Sequence, residues 1–217
     1  MRESSHMTKT LTKLFIETDA DKGPKYHGYD SMYEHWLADR TVAGREIKSL
    51  LEIGLMRGQS TKVWVDYFPN AQIYMMDDFS QGDHLDEVIT SDYILVQGNS
   101  TDVHAWLNVP MDLDVIIDDG SHLPHDQINT FLWGFHHLAP GGLYFIEDTY
   151  INFDPAFSPQ DIIYTWLQSM IVAQTATKLE PAPWGDFYKV RDKLPWPISD
   201  IYAYHLYRSV ILFEKAL

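Results

Sequence analysis

Two short apolar runs in this chain end abruptly in acid. Val115-Ile116-Ile117 leads into Asp118-Asp119, with His122 three residues beyond Asp119, and Leu143-Tyr144-Phe145-Ile146 leads into Glu147-Asp148. An apolar run without polar interruption is how a strand buried on both faces of a parallel sheet reads in sequence. Ligands of such sheets bind at the carboxyl ends of the strands. If the two strands are neighbours, about 4.8 Å apart, three or four carboxylates converge beside one imidazole. Anions gathered so closely repel and raise each other's pKa unless a cation sits among them. The simplest reading is a divalent metal site with a base, His122, next to it. The candidate ligands are all hard oxygens, which suits magnesium better than zinc.

A second constellation lies upstream. Ser49 to Ser60 reads as a buried strand, a glycine turn and a helix start, with Glu52 just before Gly54 and with Gly58 at the helix. Gly54 lets the backbone turn and a ligand approach, and Gly58 lets the helix start pack closely. The dinucleotide fingerprint fails because position 56 is Met, and Glu52 suits a cationic ligand better than a pyrophosphate. The next strand ends in Asp77, about twenty residues on, where a carboxylate can grip a ribose diol. The third ends Gln97-Gly98-Asn99-Ser100, able to meet an adenine edge. In this order, at three successive strand ends, the features point to an adenosyl cofactor.

The elements that must position these residues follow from the pattern. A short amphipathic helix is expected over 8–20, then a Gly- and Pro-containing loop or lid, 21–30, and a second helix through Tyr33, Trp36 and Leu37. From residue 47, strands are expected at 48–54, 72–77, 93–97, 112–119 and 143–148. Helices are expected at 58–68, from Pro124 with Ile128, Phe131, Leu132, Phe135 and Leu138 on one face, and at 161–176. Such alternation means a doubly wound, mostly parallel sheet. Ile201–Tyr207 and Val210–Lys215, joined at Arg208-Ser209, imply an antiparallel hairpin at its edge. The sheet then has seven strands, five of them parallel.

The 217 residues, 45% hydrophobic and 14% aromatic, suit one globular domain with a sizeable core. A net charge of −15 argues against nucleic acid, which needs clustered Lys and Arg, and against an anionic membrane surface. Cysteine is absent, so there is no disulfide or thiolate site, which fits the cytoplasm. No apolar stretch reaches the roughly eighteen residues of a membrane span. Residues 1–7 contain a Ser-His-Met that reads as an expression-tag remnant. They are set apart from 8–46, the N-terminal helices and lid, and 47–217, the catalytic domain.

Glu52-Ile53-Gly54 with Gly58, Asp118-Asp119-Gly120-Ser121-His122 and Pro140-Gly141-Gly142 running to Glu147-Asp148 resemble the macrocin and mycinamicin type of sugar O-methyltransferase. So do Asp21-Lys22-Gly23 with His27-Gly28-Tyr29, and the closing Tyr204 to Lys215. The resemblance implies the Rossmann-like fold of class I methyltransferases. It implies S-adenosyl-L-methionine and Mg2+ as cofactors and a hydroxyl of a small-molecule, glycosylated natural product as acceptor. It makes Asp119, Glu147 and Asp148 the metal ligands and His122 the general base. Glu52, Gly54, Ser60, Asp77 and Asn99 would surround the cofactor, Asp118 would lie near its methionine end, and a homo-oligomer is compatible. Gln59 and Asn99 depart from the family's usual glycine and aspartate.

Two other functions stay open: a catechol-type or other non-sugar O-methyltransferase, and a binding protein that holds the adenosyl group without turnover. Asp112 and Asp114, ahead of the buried run, read as solvated. His125 reads as a surface residue, and His136 and His137, late in their helix, as structural. Tyr26, His27 and Tyr29 line a lid or are ordinary loop residues. Trp184, Phe187, Tyr188 and Trp196 read as packing.

Overall fold

The computed structural model describes residues 9–80, 92–149, 163–170 and 200–217. The expectations for residues 1–7, for both ends of the 161–176 helix and for the aromatic stretch 181–197 fall outside these. Helices α1 (Leu11–Thr18) and α2 (Asp30–Leu37) come first, then a small antiparallel pair, β1 (Thr41–Val42) and β2 (Arg45–Glu46). The main sheet is built from β3 (Ser49–Ile53), β4 (Gln72–Asp77), β5 (Ile94–Gln97), β6 (Leu113–Asp118), β7 (Leu138–Ile146), β8 (Ile201–Leu206) and β9 (Ile211–Lys215). Between them lie α3 (Gln59–Tyr67), α4 (Val103–Trp106) and α5 (Pro124–His137), and residues 163–170 are helical (α6).

The seven strands lie in the order β5-β4-β3-β6-β7-β9-β8. The first five are parallel and the last two antiparallel. This is the doubly wound, Rossmann-like sheet of class I methyltransferases with its closing hairpin, as the sequence implies. β6 lies between β3 and β7, with Ile53, Asp118 and Ile146 level with one another. The carboxyl ends of three adjacent strands therefore meet along one rim.

Why β6 reads as an unbroken apolar run is plain from its two faces. Val115 and Ile117 pack with Leu50, Phe145, Phe15, Tyr33 and Trp64 beneath α1, α2 and α3. Ile116 packs with Leu51, Tyr144, Ile146, Phe131 and Phe135 beneath α4, α5 and α6. Successive side chains of a strand point to opposite faces, so the middle of a strand covered on both sides is apolar, and polar residues appear near its ends, where partners reach them. Leu138 departs from the expected helix face: it caps α5 and starts β7, which begins well before residue 143.

Asp114 corrects another expectation. It is buried, not solvated. Its carboxylate accepts from Lys48 N (2.7 Å), Arg45 Nε (3.1 Å), Ser49 N (3.2 Å) and Ser49 Oγ (3.4 Å). It fastens the start of β6 to the start of β3, fixing their register at the end of the sheet opposite the acid rim. Asp114→Ala would strand several of these donors, and we expect it to destabilise the fold by about 3 kcal/mol. A urea midpoint equal to that of the unmodified protein would contradict this account.

Candidate active site

Alternation along the strands sorts the acids of the rim. Glu52 and Glu147 fall on the α1–α3 face of the sheet, the face of Ile117 and Phe145 in their registers. Asp118 falls on the opposite face and Asp119 begins the loop beyond β6. The three loops are tied together by backbone hydrogen bonds from Gly54 N to Met76 O, Asp119 N to Ile53 O and Glu147 N to Asp118 O. From α5, Gln127 Nε2 donates to the Glu147 carbonyl (2.8 Å).

The cation that this crowd of acids requires is present in the chain itself, and sequence reasoning did not identify it. Lys22 is 1% exposed. Its Nζ donates to Asp119 Oδ2 and to Glu147 Oε2 (3.1 Å) and lies 3.4 Å from Glu52 Oε1. Burial lowers the pKa of this ammonium, but Asp119, Glu147 and Glu52 more than reverse that and hold it well above the ordinary lysine value. Burial pushes Glu147 and Asp119 up, and Lys22 draws both back. Tyr33 also donates its hydroxyl to Glu147 Oε1, and Tyr29 donates its hydroxyl to Asp148 Oδ1.

Asp119, His122 and Asp148 each offer a donor atom, all within 4.8 Å of one another. His122 Nε2 is 3.7 Å from Asp148 Oδ2, and its Nδ1, buried without a hydrogen-bond partner among the described residues, is 4.0 Å from Asp119 Oδ1. Octahedral magnesium binds oxygens at about 2.1 Å, so Asp119 and Asp148 are the two groups of this trio that would hold such an ion, with His122 beside it. Glu147 differs from the expectation of a third ligand beside them. Both its oxygens are turned to Tyr33 and Lys22 on the buried side. His122 and Asp148 have backbone φ of 59° and 53°, a conformation sparsely used outside glycine, and such strain concentrates at functional sites.

Among the expected cofactor residues, Glu52 is fully buried. Its Oε2 accepts from Ser60 Oγ (2.9 Å), and burial raises its pKa to about 7 against the pull of Lys22. Gly54 is also needed for a reason within the chain. At φ 93° a Cβ there would stand 2.0 Å from the Asp119 carbonyl oxygen. Gly58 begins α3 at φ 69°. Asp77 accepts Leu55 N and Phe79 N (both 2.6 Å), so it organises the turn after β3. Asn99 stands at the end of β5, but its amide is already engaged by Asp78 (2.8 Å) and Thr101. Asp118 is buried, and its Oδ2 has no hydrogen-bond partner among the described residues. Burial lifts its pKa to about 8 against the Gly120 N–H. A buried carboxylate with an idle oxygen suits a cationic ligand, and the sulfonium and ammonium of S-adenosylmethionine would supply one.

The segment 21–30 is not a free lid. The Lys22 carbonyl accepts Tyr29 N (2.9 Å) and Asp30 N (3.1 Å), and the Lys22 side chain is sunk in the rim. The stacked rings of His27 and Tyr29 (centroids 5.3 Å apart, 16° between planes) face a cavity of about 600 Å3. It is lined also by Tyr26, Met32, Tyr207 and Arg208. Asp148 lies against this cavity through Tyr29 and through His27 Nδ1 (4.0 Å). His125 is exposed, and His137 Nδ1 lies 3.1 Å from Pro110 O.

Comparison with known proteins agrees with this frame. No family model matches the chain. It is 30% identical over 169 residues to the mycinamicin VI 2''-O-methyltransferase of Micromonospora griseorubida, covering 73% of this chain and 39% of that protein. It is 28% identical to a tetracenomycin-C rhamnosyl 3'-O-methyltransferase of Streptomyces olivaceus, covering 99% of this chain and 56% of that one. Among solved structures, the MycE methyltransferase of the mycinamycin pathway, in complex with Mg and SAH, superposes with a TM-score of 0.78 at 26% identity. That match spans 96% of this chain and 55% of MycE. The resemblance read from the sequence is thus borne out, although the chain spans only about half the length of these relatives.

Gly54→Ala would drive a methyl group into the Asp119 carbonyl. We expect the substituted protein to fold with a displaced Asp119 loop and at least tenfold weaker Mg2+ binding, the scale typical of disturbed supporting contacts. Unaltered affinity in a calorimetric titration would show that the close approach is unimportant.

Proposed function

We propose that the chain is an S-adenosylmethionine-dependent, Mg2+-dependent O-methyltransferase acting on a hydroxyl of a glycosylated small molecule. The observation that carries this reading is the trio Asp119, His122 and Asp148 at the rim of a methyltransferase sheet. It stands beside a cavity large enough for a sugar-sized acceptor. Support also comes from the relatives, named as sugar O-methyltransferases, and from MycE, crystallised with Mg, SAH and mycinamycin VI.

On this reading Asp119 and Asp148 hold the metal, with Glu147 the third expected carboxylate, and His122 is the general base. When bound, the cation supplies Lewis acidity toward the acceptor hydroxyl, and the adenosyl cofactor supplies an electrophilic methyl. His122 takes the hydroxyl proton at Nε2, the ring atom on the Asp148 side. Asp148 stabilises the imidazolium so formed. Tyr29 holds Asp148 from the far side, so that the carboxylate keeps its direction as charge moves. The His27–Tyr29 stack offers a flat face to a sugar ring and would restrict the acceptor's motion, which lowers the entropic part of the barrier. Asp118, with Gly54, Gly58, Ser60, Asp77, Asn99 and Glu52 around the β3–β5 ends, completes the cofactor side. The domain division proposed is residues 8–46 as a cap that furnishes Lys22, Tyr29 and Tyr33, and 47–217 as the catalytic body.

His122→Ala should retain cofactor and Mg2+ binding while turnover falls about a hundredfold, the usual scale for a general base. The assay is transfer of labelled methyl to glycosylated and catecholic acceptors, with Mg2+ or with EDTA. Transfer that persists in EDTA would sink the metal-dependent reading, and a preference for catechols would redirect the acceptor class.

A further inference from the structure

The acid rim holds more negative charge than one divalent ion at Asp119 and Asp148 can reach, and the excess lies where water cannot. Glu52 and Glu147 are fully buried, and the side chain of Asp119 is 17% exposed. Lys22 Nζ meets all three. The two oxygens of Asp119 are divided: Oδ2 takes the ammonium, whereas Oδ1 faces His122. Lys22 is fixed from behind as well, because its carbonyl receives the first amides of α2 and Gly23 N donates to Ala20 O.

We propose that Lys22 is a built-in counter-ion of the strand-end acids, positioning Asp119 and Glu147 before a divalent cation arrives and limiting how tightly that cation binds. Three buried carboxylates without a cation would repel one another and abandon their geometry. With Lys22 among them the rim is held together in the metal-free protein. The same ammonium shares Asp119 with the metal, so two positive charges face each other across one carboxylate, and their repulsion weakens the ion's hold. Lys22 touches neither acceptor nor cofactor in this account; it acts through Asp119 and Glu147. The limit on affinity rests on the metal site proposed above, whereas the counter-ion role does not.

The test uses Lys22→Met, which keeps most of the side-chain volume, and the double variant Lys22→Met/Glu52→Gln, which removes one charge of each sign. In EDTA, Lys22→Met should lower Tm by on the order of 10 °C, the scale for breaking a buried ion pair in a chain of this size. The double variant should recover most of that loss. Saturating Mg2+, acting through Asp119, should restore part of the loss in Lys22→Met and raise the Tm of the unmodified protein far less. Calorimetric titration with MgCl2 should show affinity at least tenfold tighter in Lys22→Met. A Tm in EDTA matching the unmodified protein would overturn the proposal. So would a loss that neither Mg2+ nor Glu52→Gln repairs, since Lys22 would then serve by packing alone. Recovery in the double variant, with no Mg2+ binding by any protein, would uphold the counter-ion and refute the metal reading instead.

Discussion

Carboxylates that end adjacent parallel strands cannot stay together in a buried rim without positive charge between them. That constraint explains the placement of nearly every polar group at this end of the sheet. β3, β6 and β7 are neighbours, so their terminal acids are forced to within a few ångströms of one another. Side-chain alternation then divides them: Glu52 and Glu147 turn toward α1–α3 while Asp118 turns toward α5. Lys22 enters from the first side, carried by the turn between α1 and α2. Among the described residues nothing comparable reaches Asp118, and its idle, buried oxygen leaves it as the acid able to meet a cationic ligand. Charge balance thereby separates a permanently compensated face from one able to bind.

The backbone has been shaped to the same end. Gly54, His122 and Asp148 all have φ in the left-handed region, one in each of the loops leaving β3, β6 and β7. For His122 and Asp148 this conformation costs stability, and it is maintained by hydrogen bonds running from loop to loop and by the Gln127 amide on the Glu147 carbonyl. Opposite, Asp114 locks the starts of the same strands. The sheet is thus pinned at its far end and tensioned at its working end, an arrangement that keeps side chains in place without depending on a ligand.

Much of this was legible in the sequence, and the gaps have physical causes. A strand covered on both faces is apolar in its middle, so Val115–Ile117 and Leu143–Ile146 could be read as central strands and their acids as a convergent rim. The requirement for a cation followed from electrostatics alone. Its identity did not: Lys22 lies 97 residues from Asp119 and 125 from Glu147, beyond any periodicity. The available clue was a lysine inside Asp21-Lys22-Gly23, in a strongly acidic chain and in a segment the resemblance already covered. Asp114 was misread because an acid at the start of a strand looks solvated until the amides of Lys48 and Ser49 are brought beside it. Gly54 and Asn99 were read as facing a ligand, and the contacts each also makes within the chain, with the Asp119 carbonyl and with Asp78 and Thr101, were not legible from spacing.

Exposure across the rim runs in one direction, and this bears on how an acceptor would arrive. Lys22 and Glu147 are about 1% exposed, Asp148 8%, Asp119 17% and His122 26% by side chain. The dry end is where charge is balanced once, during folding, and where exchange with solvent would be harmful. The wet end is where an ion and a hydroxyl must enter and leave at every turnover. Asp148 connects it, through Tyr29 and His27, to the cavity that those two rings line. A permanent ammonium placed at the wet end would block the imidazole that must accept a proton. A metal placed at the dry end would be out of a substrate's reach. On the proposed chemistry, then, the two cations are not alternatives but occupy opposite ends of one carboxylate, Asp119, for different purposes.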